Sequence, residues 1–313
     1  MISVAMATYN GEKYIVEQLD SIYNQTVKAD EVIICDDGSK DNTQSIIRNY
    51  IVDKKLENKW KLYINEKQLG YIENFRKAIT LTAGEYIFLS DQDDVFYPNK
   101  FETMLEIMQK HEDCVLLNAN FEIIDENGNV DKNIRNTSRK RVDGVRKLNF
   151  KQWLYESSFP GFSMCFKSCI RDRIKNAEFR NCYGHDIMIG LIALDMGGNY
   201  EMSEVLSGYR MHTSNVTGGK NITADYTVSN RVKQKEKEQK EYLLLNNMII
   251  DNKFDNVDIA FLNCRKEELK RRLEILEGKK ILPAIKLLVS SKAYPKRTML
   301  GDLVYIIRNG LNK

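Results

Sequence analysis

The chain has 313 residues, 42% of them hydrophobic and 29% charged, which is enough for one large α/β domain with an appendage and a substantial core. Met1 leads straight into the apolar run Ile2-Ser3-Val4-Ala5-Met6 without a basic n-region, and no stretch of about 18 apolar residues follows, so neither a signal peptide nor a membrane-spanning helix is expected. The formal charge of +3 divides into −5 over residues 1–228 (28 Lys+Arg against 33 Asp+Glu) and +8 over residues 229–313 (19 against 11), so a basic end is joined to a mildly acidic body.

Short β-rich runs alternate with helical periodicity through the first half: Ile2 to Ala7 then Glu12 to Tyr23, Glu31 to Cys35 then Asn42 to Val52, Lys61 to Asn65 then Ile72 to Leu81, and Glu85 to Ser90. This βαβ series predicts an α/β fold with a mostly parallel sheet and helices on both faces, whose ligands bind at the carboxyl ends of the strands. Three polar clusters fall at those ends: Thr8-Tyr9-Asn10-Gly11, Asp36-Asp37-Gly38-Ser39 and Asp91-Gln92-Asp93-Asp94. Beyond Pro98, which suits a helix start, the pattern is less regular: Cys114 to Asp125 is strand-like and Glu126-Asn127-Gly128-Asn129 signals a turn. From about Val228 the periodicity is charged, Leu-rich and helical, so residues 1–225 are expected to form the main domain and 226–313 a basic helical region.

Three carboxylates at the end of the buried strand Tyr86-Ile87-Phe88-Leu89-Ser90 raise one another's pKa unless a cation offsets them, and hard oxygen donors suit Mg or Mn. A helix cap before Pro98 would need one aspartate, so a divalent ion is the expected occupant. The Asp37 carboxylate can accept from a base N–H or a ribose hydroxyl, although a loop with a helix cap explains it equally well. Neither G-x-G-x-x-G nor a Walker phosphate loop is present, which leaves a diphosphate to be held by metal and side chains.

In this order, Ala7-Thr8-Tyr9-Asn10-Gly11, Asp36-Asp37-Gly38-Ser39, Leu69-Gly70 with Asn74, and Ser90-Asp91-Gln92-Asp93-Asp94 resemble the family-two inverting glycosyltransferases of GT-A fold over roughly residues 1–220. Gly184-His185-Asp186, and the run from Gly208-Tyr209-Arg210-Met211-His212 to Gly218, resemble the rhamnosyltransferase branch. The resemblance implies a nucleotide-diphosphate sugar donor, with dTDP-rhamnose the first choice and a UDP-sugar the alternative. It also implies inversion at the anomeric carbon and a Mn or Mg ion on Asp93 and His212. Thr8, Tyr9, Asn10, Glu12, Asp37, Lys67, Asn74, Asp91 and Asp93 match donor-binding positions, Asp186 matches the catalytic base, and Gly161, Phe162 and His185 match the acceptor side. Gln68 departs from the Asn usual in that segment, which leaves the role of Lys67 open. A non-catalytic module that binds a sugar nucleotide or a membrane is the rival reading.

The acceptor implied is a glycan or a lipid-linked glycan. Residues 279–313, with eight Lys+Arg and one Asp between apolar runs, suit two short interfacial helices separated by Pro283 and Pro295. An anionic membrane surface, not nucleic acid, is therefore the expected partner, and packing within the chain or in a homodimer is the alternative. Six cysteines without C-x-x-C pairing suit reduced thiols in a cytoplasmic protein, peripheral on the inner face of the membrane, where the sequons at Asn24, Asn136, Asn215 and Asn221 carry no glycan.

Overall fold

A computed structural model of the chain describes residues 1–130, 144–156, 159–176, 184–212, 258–278, 280–292 and 296–310. Strands β1 (Ile2–Thr8), β2 (Glu31–Asp36), β3 (Trp60–Ile64) and β4 (Tyr86–Ser90) alternate with helices α1 (Ile15–Tyr23), α2 (Thr43–Asp53) and α3 (Tyr71–Leu81). The four strands pair in parallel in the order β3-β2-β1-β4. Parallel neighbours need a crossover, and each helix supplies one. β1, β2 and β4 are buried on both faces, which is why they read as largely apolar runs, whereas the edge strand β3 exposes Lys61 and Tyr63. Ala5, Ile33 and Leu89 face one core, and Val4, Met6, Val32, Ile34 and Phe88 face the other, the two-residue period of a strand. Each large side chain so buried contributes roughly 1.5–3 kcal/mol.

The second half makes the sheet mixed. It contains β5 (Val95–Phe96), α4 (Lys100–Lys110), β6 (Leu116–Ile124), β7 (Val145–Lys147), α5 (Phe150–Glu156), a 3-10 turn at Gly161–Ser163, β8 (Met164–Lys167), α6 (Ser168–Asn176), α7 (His185–Asp195) and β9 (Asn199–Arg210). The sheet continues β4-β8-β6-β9-β5, with β7 also on β9. β8 runs antiparallel to β4 and β6, whereas β6 and β9 are parallel, with irregular register between Asn118 and Glu122. The sheet expected to be mostly parallel is parallel in its first four strands and in the β6/β9 pair, and antiparallel elsewhere. Helices α5, α6 and α7 cover one face: Trp153, Ile170, Ile174, Met188 and Ile192 share a core cluster with Leu89.

Helices α8 (Ile259–Glu277), α9 (Ile281–Ser290) and α10 (Lys296–Gly310) follow. Asp258 caps α8 by accepting from the backbone N–H of Phe261 at 2.8 Å. Pro283 lies in the first turn of α9, where its missing N–H has no intrahelical partner to lose, and Pro295 lies outside the described residues. Ile275, Ala284, Leu287, Met299 and Ile306 form their shared core, beside a buried ion pair between Arg272 and Asp302. Phe261 meets Phe150 of α5 edge-on, with ring centroids 6.2 Å apart. No helix among the described residues is long and apolar enough to cross a membrane. The boundary near 226 and the helical pattern through Asn246 lie outside the described residues.

Candidate functional site

The loops after β1 and β2 are hydrogen-bonded to each other. Asn10 N donates to Ser39 Oγ (2.8 Å), Lys40 N to Asn10 Oδ1 (2.8 Å), Gly11 N to Thr43 Oγ1 (2.8 Å), and both Asn42 N and its side-chain amide to Glu12 Oε2 (2.9 and 2.8 Å). Asn10 adopts φ 48°, a left-handed turn that asparagine tolerates. Thr8 is buried and its hydroxyl donates to Asp36 Oδ2 at 2.8 Å. Ser39 and Gln44 donate the remaining bonds to Asp36, so that carboxylate is spent inside the fold. Tyr9 is exposed, and only its backbone is held: the Gln92 amide accepts from Tyr9 N (2.8 Å) and donates to Tyr9 O (3.0 Å), joining the first loop to the acidic one.

Asp37 accepts from Asn65 Nδ2 (2.8 Å), Leu69 N (2.7 Å) and Gly70 N (2.8 Å), which pins the loop before α3 against the end of β2. Gly70 sits at φ 82°, a conformation that favours glycine. Asn74 is buried, donates to Cys35 O (2.8 Å) and accepts from Asn65 Nδ2 (2.8 Å). Lys67 is exposed on the same loop. Tyr9, Lys67 and Glu12 thus face outward, whereas Thr8 and Asn74 act within the scaffold.

At the end of β4, burial and then the charges of Asp93 and Asp186 push the Asp91 carboxyl up to about 8. Asp93 Oδ2 lies 2.9 Å from His212 Nε2, and the His212 ring packs 4.8 Å from that of Tyr14. Asp94 is buried. Its Oδ1 accepts from Arg210 N at 3.0 Å, and its Oδ2 has no hydrogen-bond partner. Beneath it the fully buried Lys100 donates to Phe162 O (2.5 Å) and Ser207 Oγ (2.7 Å), and burial holds its ammonium down to about 7 against the pull of Asp94. Arg210 is also fully buried: Nε donates to Asp93 O (2.8 Å), Nη1 to Asp125 O and Glu126 O (3.2 and 3.1 Å), and Nη2 to Glu17 (2.6 Å). The sequence pattern marks Arg210 only as part of the Gly208-Tyr209-Arg210-Met211-His212 run and does not single out Lys100. The run Val95-Phe96-Tyr97-Pro98-Asn99-Lys100-Phe101-Glu102 carries no local signal that would single out the lysine.

Gly184 precedes α7, and Asp186 stands in the helix's first turn, where the unpaired amides favour negative charge. Its charge helps to raise the Asp91 carboxyl, and the start of α7 and the end of β4 meet at Gly161, where a Cβ would approach both His185 and Leu89. His185 is buried against Phe75, stacked at 4.0 Å, and neither ring nitrogen has a hydrogen-bond partner. Burial lowers its pKa, with Asp186 opposing. Gly161 makes room for that ring: a Cβ there would lie 2.6 Å from His185 Nε2. Phe162 is 1% exposed and stacks on Tyr209 at 5.4 Å, so its ring belongs to the core while its neighbour Gly161 borders His185.

Among the described residues no group of three or more His, Cys, Asp or Glu is placed to hold a metal ion. Two donors, Asp93 and His212, do meet at one point, and the crowding at Asp91 with the unpartnered Asp94 oxygen leaves negative charge that a divalent cation would offset. A carboxylate and an imidazole fit Mn or Mg if other oxygens complete the shell. Residues 213–218 of the later motif lie outside the described residues. The five cysteines among the described residues are unpaired.

The fold is similar to that of S. aureus TarS. Residues 1–349 of TarS in complex with UDP-GlcNAc superpose with a TM-score of 0.61 at 15% identity, covering 98% of this chain and 88% of that one. The complex with UDP gives 0.57 at 14% identity, covering 100% and 92%. In sequence the chain is 34% identical to an uncharacterized glycosyltransferase of Methanocaldococcus jannaschii, over 62% of this chain and 66% of that protein. It is 28% identical to one from Rickettsia typhi, over 69% and 66%. It thus spans about two thirds of the length of these relatives. Residues 3–173 match the family described as Glycosyl transferase family 2. With more than half of its residues in that match, the chain belongs to glycosyl transferase family 2.

Proposed function

We propose that the chain transfers a sugar from a nucleotide-diphosphate donor to a hydroxyl of a glycan or lipid-linked glycan, with inversion. The observation that carries this reading is the approach of the start of α7 to the end of β4 at Gly161, where a Cβ would lie 2.6 Å from His185 Nε2 and 3.3 Å from Leu89 Cδ1. It brings Asp186, a carboxylate able to accept a proton, near an acidic strand end able to hold a donor. The acceptor oxygen bonds to the anomeric carbon as the bond from that carbon to the diphosphate breaks. The hydroxyl proton passes to Asp186, and the diphosphate leaves with the electron pair. Asp93 and His212 would hold a Mn or Mg ion, which when bound supplies positive charge against the developing diphosphate. The exposed Tyr9, Glu12 and Lys67 rim the donor side, and Asp37 and Asn74 support it by fixing the loop at Leu69-Gly70. Gly161 and His185 border the acceptor side.

For the donor, the complexes of TarS with UDP and UDP-GlcNAc support a UDP-sugar, and the rhamnosyltransferase-like motifs support dTDP-rhamnose. Thermal shift against a panel of nucleotide sugars with manganese separates the two, because a ligand that binds the native state raises its stability. Donor hydrolysis with and without EDTA tests the activity itself. Turnover abolished by EDTA and restored by manganese is expected. Donor binding without any turnover would make the chain a binding module.

A further inference from the structure

The last two helices carry apolar residues on faces that are exposed among the described residues. On α9, Ala284 and Leu287 point into the small core, whereas Ile281, Leu282, Ile285 and Val289 are exposed, Leu282 at 74% and Val289 at 79%. Successive helical residues turn by about 100°, so these four fall within an arc of about 100° beside the buried face. On α10, Met299 and Ile306 point inward, and Leu300, Val304 and Ile307 form an exposed stripe of the same kind. Single exposed apolar residues need no explanation, but two stripes on consecutive helices do.

We propose that α9 and α10 dock on an anionic lipid bilayer, with these stripes at the headgroup boundary. Charge identifies the occupant. Residues 279–313 carry eight Lys+Arg and one acidic residue, Asp302. That aspartate is buried in its ion pair with Arg272, so the segment turns no carboxylate outward. Lys280, Lys286 and Lys292 are exposed at the two ends of α9 and along it. A second copy of the chain would bring like charge against like charge, whereas anionic headgroups complement the lysines and the acyl boundary takes the apolar stripes. The inference is independent of the catalytic reading, since it uses none of the residues at the strand ends.

The test is co-sedimentation of the full chain with vesicles of phosphatidylcholine mixed with phosphatidylglycerol, and of phosphatidylcholine alone. At low salt, binding to the mixed vesicles is expected to be at least about tenfold stronger, and to weaken as salt rises. The double variant Leu282→Glu, Val289→Glu is expected to reduce it at least about tenfold with an unchanged thermal midpoint, because both side chains are exposed. Should that variant misfold, Lys280→Glu with Lys286→Glu reads the electrostatic half alone. No sedimentation with the mixed vesicles overturns the proposal, as does binding indifferent to these substitutions. Concentration-dependent self-association in sedimentation velocity without lipid, abolished by Leu282→Glu, would assign the face to a second copy and overturn it equally.

Discussion

Arg210 Nε donates a 2.8 Å hydrogen bond to the carbonyl oxygen of Asp93, so the end of β9 holds the backbone of the acidic loop from below. The same guanidinium serves Asp125 O, Glu126 O and the half-exposed Glu17 carboxylate. The exposed end of the ion pair adds little, but three carbonyls in part-buried hydrogen bonds would lose their donor. Arg210→Met is therefore expected to lower unfolding stability by about 2–4 kcal/mol. Arg210→Lys should recover only part of this, because one ammonium cannot reach the same spread of acceptors. Urea denaturation reads both. A midpoint unchanged in Arg210→Met would mean the loop holds itself.

The 2.9 Å approach of His212 to Asp93 makes a second prediction. Asp93→Asn keeps the shape and removes an anionic donor, and His212→Ala removes the other. Each is expected to lower metal-dependent donor hydrolysis at least about a hundredfold and to weaken manganese binding in titration calorimetry. Full activity in Asp93→Asn would sink the metal assignment.

Asp186→Asn is expected to reduce kcat by about a hundredfold or more while the donor Kd stays within about threefold, the signature of a lost general base. If donor affinity fell and turnover held, Asp186 would be a helix cap alone.

The three strand-end clusters were legible because each follows an apolar run, so local order alone places Thr8, Asp36 and Asp91 at one sheet edge. The later strands were not. β9 is interrupted by Ser203, Glu204 and Gly208, and its partner β6 lies about eighty residues earlier, so no local period marks it. No strand signal therefore extends to Arg210, which closes β9. Nor can spacing distinguish Asp36, whose carboxylate is consumed by Thr8, Ser39 and Gln44, from its neighbour Asp37, which pins the Leu69-Gly70 turn.

Burial keeps His185 neutral, and its folded pKa lies below the ordinary imidazole value. As pH falls through about 6.5 the unfolded chain takes up a proton that the folded chain refuses, so this group's contribution is stability lost on acidification. His185→Phe, which preserves stacking on Phe75, is expected to show a smaller fall in thermal midpoint between about pH 7 and pH 5 than the parent chain. Equal slopes for the two proteins would show that His185 does not titrate out of step with the unfolded state.

Gly161 and His185 make the last prediction, because the glycine is a matter of space. A Cβ at position 161 would stand 2.6 Å from His185 Nε2 and 3.3 Å from Leu89 Cδ1. The imidazole has little room to retreat, since its other side is stacked on Phe75 at 4.0 Å. His185 is the first residue of α7, so displacing it disturbs the turn that carries Asp186. Gly161→Ala is expected to lower transfer to acceptor by at least about tenfold, as misplacement by a fraction of an ångström at a reacting group does, while leaving donor affinity within about threefold. His185→Ala removes a buried, stacked ring and carries its own cost, which is why the pair is read as a cycle. In the His185→Ala background the ring is gone, the added methyl has space, and Gly161→Ala should then cost little more. The two substitutions are thus expected to be strongly non-additive. If Gly161→Ala is as harmful without the imidazole as with it, the collision is not what position 161 avoids, and the glycine serves the backbone of the 3-10 turn instead.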